Sequence, residues 1–207
     1  MASNRRRGPE DSAVRAELID AAEQILREEG YAAVTSRTLA DRVNLKRQIV
    51  HYYFHSMDEL FIAVIRRGAE QMRERITQAL AGDEPLRALW DLNSDPAQAS
   101  LSLELNALAN RRPAVRAEVS RFAEEFRQMQ AKGLVEHVQS RGQKQTLHPL
   151  VATVLLTSLS QMLTLESAID VKLGHAEMLA FTDECLRAFA EGRDPPLGAP
   201  GFTTARA

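Results

Sequence analysis

Residues 30–60 read GYAAVTSRTLADRVNLKRQIVHYYFHSMDEL, and this stretch decides the fold that we expect for the chain. Apolar and small residues recur at helical spacing after Thr35, whose side-chain oxygen is suited to cap a short helix over 36–43. Asn44 tolerates left-handed backbone geometry and separates that helix from a second one over 46–54. Two short helices joined by a tight turn predict a helix-turn-helix.

The second of these helices has two chemically different faces. At 100° per residue one arc holds the apolar and aromatic positions Ile49, Val50, Tyr53 and Phe54, and the opposite arc holds Arg47, Gln48, His51 and Tyr52. Tyr53 should therefore pack inside while Tyr52 faces out. Arg47 and Gln48 suit the edges of guanine and adenine, and His51 and Tyr52 suit phosphates or groove walls.

His51 and His55 also stand at the i, i+4 spacing that places two metal ligands on one helix face. The only cysteine is distant, and the nearest carboxylates, Asp58 and Glu59, begin another helix. Histidines that face DNA or solvent explain the pattern better than a metal site. We therefore predict no metal, no cofactor and no catalytic residue.

The helical pattern continues through most of the chain. We predict further helices over 13–29, 57–81, 85–93, 95–111, 113–140, 150–169 and 175–191. Gly30 marks the end of the first, and Ser56 to Glu59 form a capping box at the start of the 57–81 helix. Strand alternation of useful length is missing from the sequence, which predicts an all-α fold.

The composition agrees with a cytoplasmic globular protein. A chain of 207 residues with 44% hydrophobic residues is large enough to bury a core. The single cysteine, Cys185, permits no internal disulfide, and no apolar run follows the basic start of the chain to act as a signal. A buried structural thiol is a better interpretation of Cys185 than a redox sensor, since no resolving partner is present.

Residues 150–169, LVATVLLTSLSQMLTLESAI, are apolar on more than one face. Hydroxyl and other polar groups interrupt this run too often for a membrane span. A helix covered by its own domain on one side and by a second subunit on the other explains the pattern better. Residues 193–207 are rich in proline and glycine and are predicted to be a disordered tail.

Together with VRAELIDAAEQILREEG at 14–30, the opening stretch resembles the DNA-binding segment of TetR-type transcriptional regulators. The resemblance covers about residues 13–65. It implies a homodimer paired through the last two helices, about 150–169 and 175–191. The expected order is a basic arm over 1–12, a three-helix DNA-binding head over 13–56, a larger helical effector-binding and dimerisation domain over 57–192, and the tail over 193–207.

The resemblance also suggests which residues contact DNA. Carried over position by position, the contacts fall on Thr35, Arg37, Lys46, Gln48, His51 and Tyr52. Asn44 stands where the family usually has glycine, and Lys46 where it usually has a capping serine, so the operator sequence should differ from those of relatives. Arg5, Arg6 and Arg7 are either a minor-groove arm or a solubilising tail.

Polar groups within the apolar helices of the larger domain are candidates for an effector pocket. They are Trp90, Asn93, Glu104, Asn106 and His137, and each has a surface position as its alternative. Phe126 is a further candidate, although the stripe that it forms with Phe122 and Met129 is more typical of a core.

The leading hypothesis is a regulator, most often a repressor, that leaves a palindromic DNA operator when a small-molecule effector binds. The effector would be apolar or weakly polar, because charged groups among the pocket candidates are sparse and mixed. The alternative is a helical small-molecule-binding protein or enzyme with no role on DNA, although no nucleophile, base and orienting group form a recognisable set. The salt dependence of binding to DNA distinguishes the two.

Overall fold

The computed structural model describes residues 9, 12–143 and 147–193. Arg5 to Arg7 and residues 194–207 lie outside the described residues, so the expectations for the arm and the tail stay predictions. The helices are α1 (Ala13–Glu29), α2 (Ser36–Arg42), α3 (Arg47–Tyr53), α4 (Met57–Ala81), α5 (Pro85–Asn93), α6 (Pro96–Ala109), α7 (Pro113–Ser140), α8 (Pro149–Ala168) and α9 (His175–Ala190). A 3-10 turn, Tyr31–Ala33, precedes α2. The described residues contain no strand, and the predicted all-α class is confirmed.

The contacts divide the chain into two compact units. The first unit holds the described residues up to Glu74 together with Pro96–Phe126. The second holds Arg75–Asp95 and the described residues from Arg127 onward. The predicted functional boundary after residue 56 is a different kind of division and stays a prediction.

One apolar core joins the helices of the first unit. Its fully buried side chains include Leu18 and Ile25 of α1, Leu39 of α2, Val50 of α3, Leu60 of α4 and Leu108 of α6. Full burial of a side chain of this size stabilises the fold by roughly 1.5–3 kcal/mol. The two short helices α2 and α3, which would not be stable alone, are therefore held in position by the longer helices around them.

A glycine and a glutamate fix the turn between α1 and α2. Gly30 ends α1, as the sequence predicts, with φ 82° and ψ 169°, a backbone conformation that is essentially restricted to glycine. The next amide, that of Tyr31, donates a hydrogen bond of 2.8 Å to Oε2 of Glu104 on α6. Glu104 thus binds backbone within the first unit, whereas the sequence suggested it for an effector pocket. A polar residue in an apolar helix can satisfy a distant amide, and that partner is invisible in the sequence.

Ion pairs join α1 to α4 in the first unit. Arg67 of α4 donates to Asp20 and, at 2.8 Å, to Glu23, and Arg27 donates to Glu23 at 2.9 Å. Burial by itself raises the pKa of Glu23, but the hydrogen bonds from Arg67 and Arg27 outweigh it and hold that pKa below its ordinary value of 4.5. The charged form of Glu23 is therefore favoured by folding.

In the second unit α8 has the length and apolar composition of a membrane-crossing helix. Its buried hydroxyls are paired locally: Thr153 donates to the carbonyl of Leu150 at 3.0 Å, and Ser160 to that of Leu156 at 2.8 Å. Little of this helix is buried within the described chain. Since a helix covered by a second subunit has the same composition, a single such segment does not indicate a membrane protein.

Candidate nucleic-acid interface and ligand cavity

Two threonines cap the first helix of the helix-turn-helix. The side-chain oxygen of Thr35 accepts a hydrogen bond from the amide of Thr38 at 3.1 Å, as predicted for a capping residue. In return the side-chain oxygen of Thr38 accepts from the amide of Thr35 at 2.9 Å. This reciprocal capping box fixes the start of α2.

The turn between α2 and α3 depends on Asn44. Its φ of 53° lies in the left-handed region, as expected from a residue that tolerates that geometry. The amide of Leu45 then donates to the carbonyl of Ala40 at 2.8 Å, which closes the turn. Lys46 is the N-cap of α3 and makes no capping hydrogen bond with its side chain. Its ammonium group consequently remains on the surface of the turn.

The two faces of α3 are as the helical wheel predicts. Val50, Tyr53 and Phe54 are buried in the core of the first unit. The hydroxyl of Tyr53 lies 2.9 Å from the side-chain oxygen of Ser12. Tyr52 is 42% exposed whereas Tyr53 is 9% exposed, so these adjacent tyrosines have the different roles that periodicity indicates.

The start of α4 carries the predicted capping box with one change of partner. The amide of Glu59 donates to the side-chain oxygen of Ser56 at 3.2 Å. The carboxylate of Glu59 accepts from the amide of His55 at 2.9 Å, one residue earlier than the usual partner. His55 is thereby fixed by its backbone at the junction between α3 and α4.

The seven residues predicted to contact DNA are all exposed, namely Thr35, Arg37, Lys46, Arg47, Gln48, His51 and Tyr52. Arg47 donates to the side-chain oxygen of Ser36 at 3.3 Å, which links α3 to α2. Arg37 lies 3.8 Å from Asp41 with both side chains largely in solvent, a pair that contributes little and separates easily. By contrast Arg42 binds Glu28 at 2.8 Å and Glu29 at 2.7 Å, so its charge is already neutralised.

The second unit contains an apolar cavity of about 390 Å³ between α5, α7, α8 and α9. Its wall includes Leu86, Trp90, Leu134, Val138, Leu156, Met178, Phe181, Leu186 and Phe189. This volume lies within the ~300–1,000 Å³ that is typical of small-molecule pockets. The cavity can hold a small apolar compound.

Polar groups in the wall are few. Among the described residues that line the cavity, Arg193 is the charged one, and its guanidinium is bound by Glu191 at 2.5 Å and Glu184 at 3.4 Å. Cys185 also lines the cavity, and burial, with a smaller contribution from Glu184, raises the pKa of its thiol. Cys185 is thus a half-buried, protonated wall residue with access to the cavity.

Of the six pocket candidates, Trp90 lines this cavity. Asn93 donates its amide to the carbonyl of Leu89 at 2.7 Å, and His137 stacks at 6.1 Å between ring centroids on Phe189, behind the wall. Burial lowers the pKa of His137. The other three, Glu104, Asn106 and Phe126, belong to the first unit, where Phe126 packs against the core. The structure does not bring these five to the cavity wall.

Sequence reasoning missed most of the wall because the wall consists of ordinary apolar residues. Leu134, Val138, Leu156 and Leu186 follow the helical periodicity of a packed core, and a cavity wall has the same periodicity. The available signal was the combination of apolar faces on α7, α8 and α9, not the polar exceptions within them. Whether such faces meet or leave a space is decided by packing.

Comparison with known proteins shows what the first part of the chain is similar to. Residues 18–64 match the family described as bacterial regulatory proteins of the tetR family. The chain is 37% identical over 89 residues to the HTH-type transcriptional regulator BetI of Stenotrophomonas maltophilia, which is 41% of this chain and 45% of BetI. It is 33% identical over 96 residues to the nicotine-responsive transcriptional repressor HdnoR of Paenarthrobacter nicotinovorans, 46% of this chain and 50% of HdnoR. The chain thus spans about half the length of these curated relatives.

The structural similarity covers more of the chain than the sequence similarity does. The transcriptional regulator FadR of Bacillus subtilis, solved in complex with stearoyl-CoA, superposes with a TM-score of 0.62 at 19% identity, over 86% of this chain and 99% of FadR. At that identity the superposition shows a shared fold. The matched segment, the two relatives and the all-α fold lead to one conclusion: residues 18–64 are similar to the segment by which bacterial regulatory proteins of the tetR family are recognised, and the chain shares the all-α fold of such regulators.

Proposed function

We propose that the protein is a cytoplasmic, sequence-specific DNA-binding transcriptional regulator, acting as a repressor that a small molecule releases from a palindromic operator. The observation that carries this proposal is the division of α3 into a buried face and an exposed face. Val50, Tyr53 and Phe54 hold the helix in the core, which leaves Gln48 and Tyr52 free to contact another molecule. The relatives are transcriptional regulators, and no enzyme activity is proposed.

On DNA, α3 would enter the major groove while the residues around it bind the backbone. Gln48 would pair with an adenine and Arg47 with a guanine, because their side chains project from the first turn of α3. Arg37 and Lys46 would bind phosphates, and the weak pair between Arg37 and Asp41 would separate at small cost. His51 and Tyr52, one turn later, would contact phosphates or the groove wall.

The effector would occupy the cavity of the second unit. HdnoR is nicotine-responsive, and FadR was solved with stearoyl-CoA, so related regulators respond to or hold organic ligands. The apolar wall and the neutralised Arg193 favour an apolar or weakly polar compound in this protein. Binding would release DNA only if the compound has a higher affinity for the form that does not bind the operator.

The dimer would form through α8 and α9. Along α8 a row of apolar side chains is exposed in the single chain, including Val151, Val154, Leu155 and Met162, and α9 adds Leu179. A contiguous apolar surface of this kind is typical of an interface. Val154→Glu should therefore give a monomer by light scattering after gel filtration. A variant that remained dimeric would place the interface elsewhere.

A salt series tests the regulator against the alternative, a helical small-molecule-binding protein or enzyme with no role on DNA. Affinity for duplex DNA should fall as salt rises, with a log-log slope of about −0.9 for each phosphate contacted. If no duplex DNA bound even at low salt, the alternative would be favoured, with the cavity as its functional feature. If duplex DNA is bound, selection of bound fragments from the host's genome would supply the operator.

Gln48→Ala and Arg37→Ala separate specificity from general affinity on that operator. Gln48→Ala should relax the preference at one base pair, at a cost of about 1–3 kcal/mol on the preferred base. Arg37→Ala should weaken all sequences alike and reduce the salt slope by about 1. An unchanged sequence preference in Gln48→Ala would show that α3 is oriented differently in the groove.

A further inference from the structure

The turn between α6 and α7 gathers positive charge on the surface of the first unit. Arg111 and Arg112 form the turn, and Arg116 follows in the first turn of α7. The guanidinium of Arg116 bends back and donates to the carbonyl of Ala109 at 3.1 Å and to that of Asn110 at 3.0 Å. The charge of Arg116 is therefore held beside the backbone of Arg111.

Contacts within the first unit place this turn against the start of α4. Arg112 donates to the carboxylate of Asp58, and its guanidinium lies 5.5 Å from the ring centroid of Phe61. Asp58 belongs to the first turn of α4, which begins shortly after α3 ends. At the same junction the guanidinium of Arg15 from α1 lies 5.1 Å from the ring centroid of Phe54. The turn is thus fixed beside the C-terminal end of α3, the helix that we propose for DNA.

The charges of the turn differ from those of most other arginines in the first unit. The arginines that pair with a carboxylate at 2.9 Å or less are Arg27, Arg42, Arg66, Arg67, Arg73 and Arg121. The side chain of Arg111 is exposed and has no hydrogen bond or ion pair with any described residue. Arg116 is exposed too, and its acceptors are carbonyls, which leave the positive charge in place. Two guanidinium groups without a counter-charge consequently lie close together in sequence and on the surface.

The acids at the junction do not neutralise these two groups. Asp58 is already bound by Arg112 of the turn. The carboxylate of Glu59 accepts from the amide of His55 at the start of α4. The surface that surrounds the end of α3 therefore keeps a positive charge and is suited to an anionic partner.

The backbone of DNA fits this surface. In helix-turn-helix proteins of the homeodomain type, the recognition helix reads bases in the major groove and its C-terminal end contacts the backbone. A guanidinium group donates to phosphate oxygens in pairs. Arg111 could do so without first breaking an ion pair, whereas Arg42 would have to leave both Glu28 and Glu29.

We propose that the α6–α7 turn is a second DNA contact, in which Arg111 and Arg116 bind phosphates beside the groove that α3 enters. Arg112 positions the turn through Asp58 and Phe61. The contact adds affinity and speeds association but adds no sequence preference, because the phosphates are the same at every base pair. It rests on the proposed function and extends the DNA-binding surface to residues far from the helix-turn-helix in the sequence.

The test measures binding of the full chain to a fluorescein-labelled duplex of random sequence by anisotropy over a salt series. Arg111→Gln should reduce the log-log slope by about 0.9 for each subunit bound, the contribution of one phosphate contact. Combined with Arg116→Gln the reduction should be about 1.8 for each subunit. Arg111→Lys keeps the charge and should keep the slope. An unchanged slope in Arg111→Gln would overturn the proposal.

Arg127→Gln is the matched control. Arg127 is an exposed arginine farther along α7, so this change removes the same charge at a different place and should leave the slope unchanged. An equal loss in both variants would show an effect of net charge, which would overturn a local contact. Since the side chain of Arg111 has no partner among the described residues, Arg111→Gln should unfold at the same urea concentration as the wild type.

Ethylation interference on the selected operator locates the contact. At the edge of each half-site one phosphate whose ethylation weakens the wild type should have no effect on Arg111→Gln. An identical pattern in both proteins, or a changed preference for the operator over random duplex, would contradict a phosphate contact. If the wild type bound no duplex DNA, the regulator and this contact would both be refuted. If it bound DNA and Arg111→Gln had the same slope, only this contact would be refuted.

Discussion

The turn at Gly30 gives the most direct test of how the first unit is held together. We predict that Gly30→Ala destabilises the protein by about 2–4 kcal/mol. Two independent features produce this cost. The backbone at Gly30, with φ 82° and ψ 169°, is unfavourable for any side chain by about 1–3 kcal/mol. An added Cβ would also lie 3.1 Å from Oε2 of Glu104, so the carboxylate would have to shift and would lose the short hydrogen bond from the amide of Tyr31.

The second contribution can be separated from the first. The hydrogen bond from Tyr31 to Glu104 is 2.8 Å long and half-buried, so its loss should cost about 1 kcal/mol, the typical net contribution of a hydrogen bond in a protein. In a Glu104→Ala background that bond is already absent, and Gly30→Ala should cost only the backbone strain. The double-mutant cycle should therefore show a coupling of about 1 kcal/mol between the two positions.

The assay is urea unfolding followed by far-UV circular dichroism at constant pH. The fluorescence of Trp90, the only tryptophan, reports on the second unit, and coincident transitions would justify a two-state treatment. Gly68→Ala is the control. Position 68 lies within α4, and an added Cβ there meets no atom within 4 Å, so this change should stabilise the protein by about 0.5–1 kcal/mol. Strictly additive costs for Gly30→Ala and Glu104→Ala would refute the contact between them as a cause.

Three further predictions concern stability and use the same unfolding assay. Tyr53→Phe should cost about 1 kcal/mol through loss of the hydroxyl contact with Ser12, while Tyr52→Phe should change stability by less than ~0.5 kcal/mol; equal effects would contradict the two faces of α3. Because the pKa of Glu23 is lowered in the folded state, its contribution is present above its ordinary value of 4.5 and is lost as the pH falls through the lower folded value, so Glu23→Gln should flatten the stability profile below pH 4.5. Gln130→Leu should raise stability by about 1 kcal/mol, since it removes a buried acceptor that has no partner among the described residues; a loss of stability would mean that Oε1 is already satisfied.

Local signals in the sequence were sufficient to predict where the helices begin and end. Thr35 as a cap, Asn44 in the left-handed region and Gly30 as a helix end each require only neighbouring residues, and all three are found in the structure. The separate roles of Tyr52 and Tyr53 likewise follow from periodicity, because a helix with one packed face fixes which side chains point inward. The exposed face of α3, which we propose for DNA, could be predicted for the same reason.

The cavity of the second unit could be found only in the tertiary structure. Glu104 was a reasonable pocket candidate as a polar residue on an apolar helix, but its partner, the amide of Tyr31, is 73 residues away in the sequence. Conversely Leu134 and Leu186 had the pattern of core residues and instead line a cavity.

Gln130 shows the difference most clearly. Its position on α7 was evident from the helical pattern, but the burial of its side-chain carbonyl without a donor among the described residues became visible only in the tertiary structure. By itself the sequence determined the order of the helices, their ends and the faces they present, since these depend on interactions within a few residues. The tertiary structure decided which of those faces close on each other and which enclose a space, because packing depends on side chains that are distant along the chain.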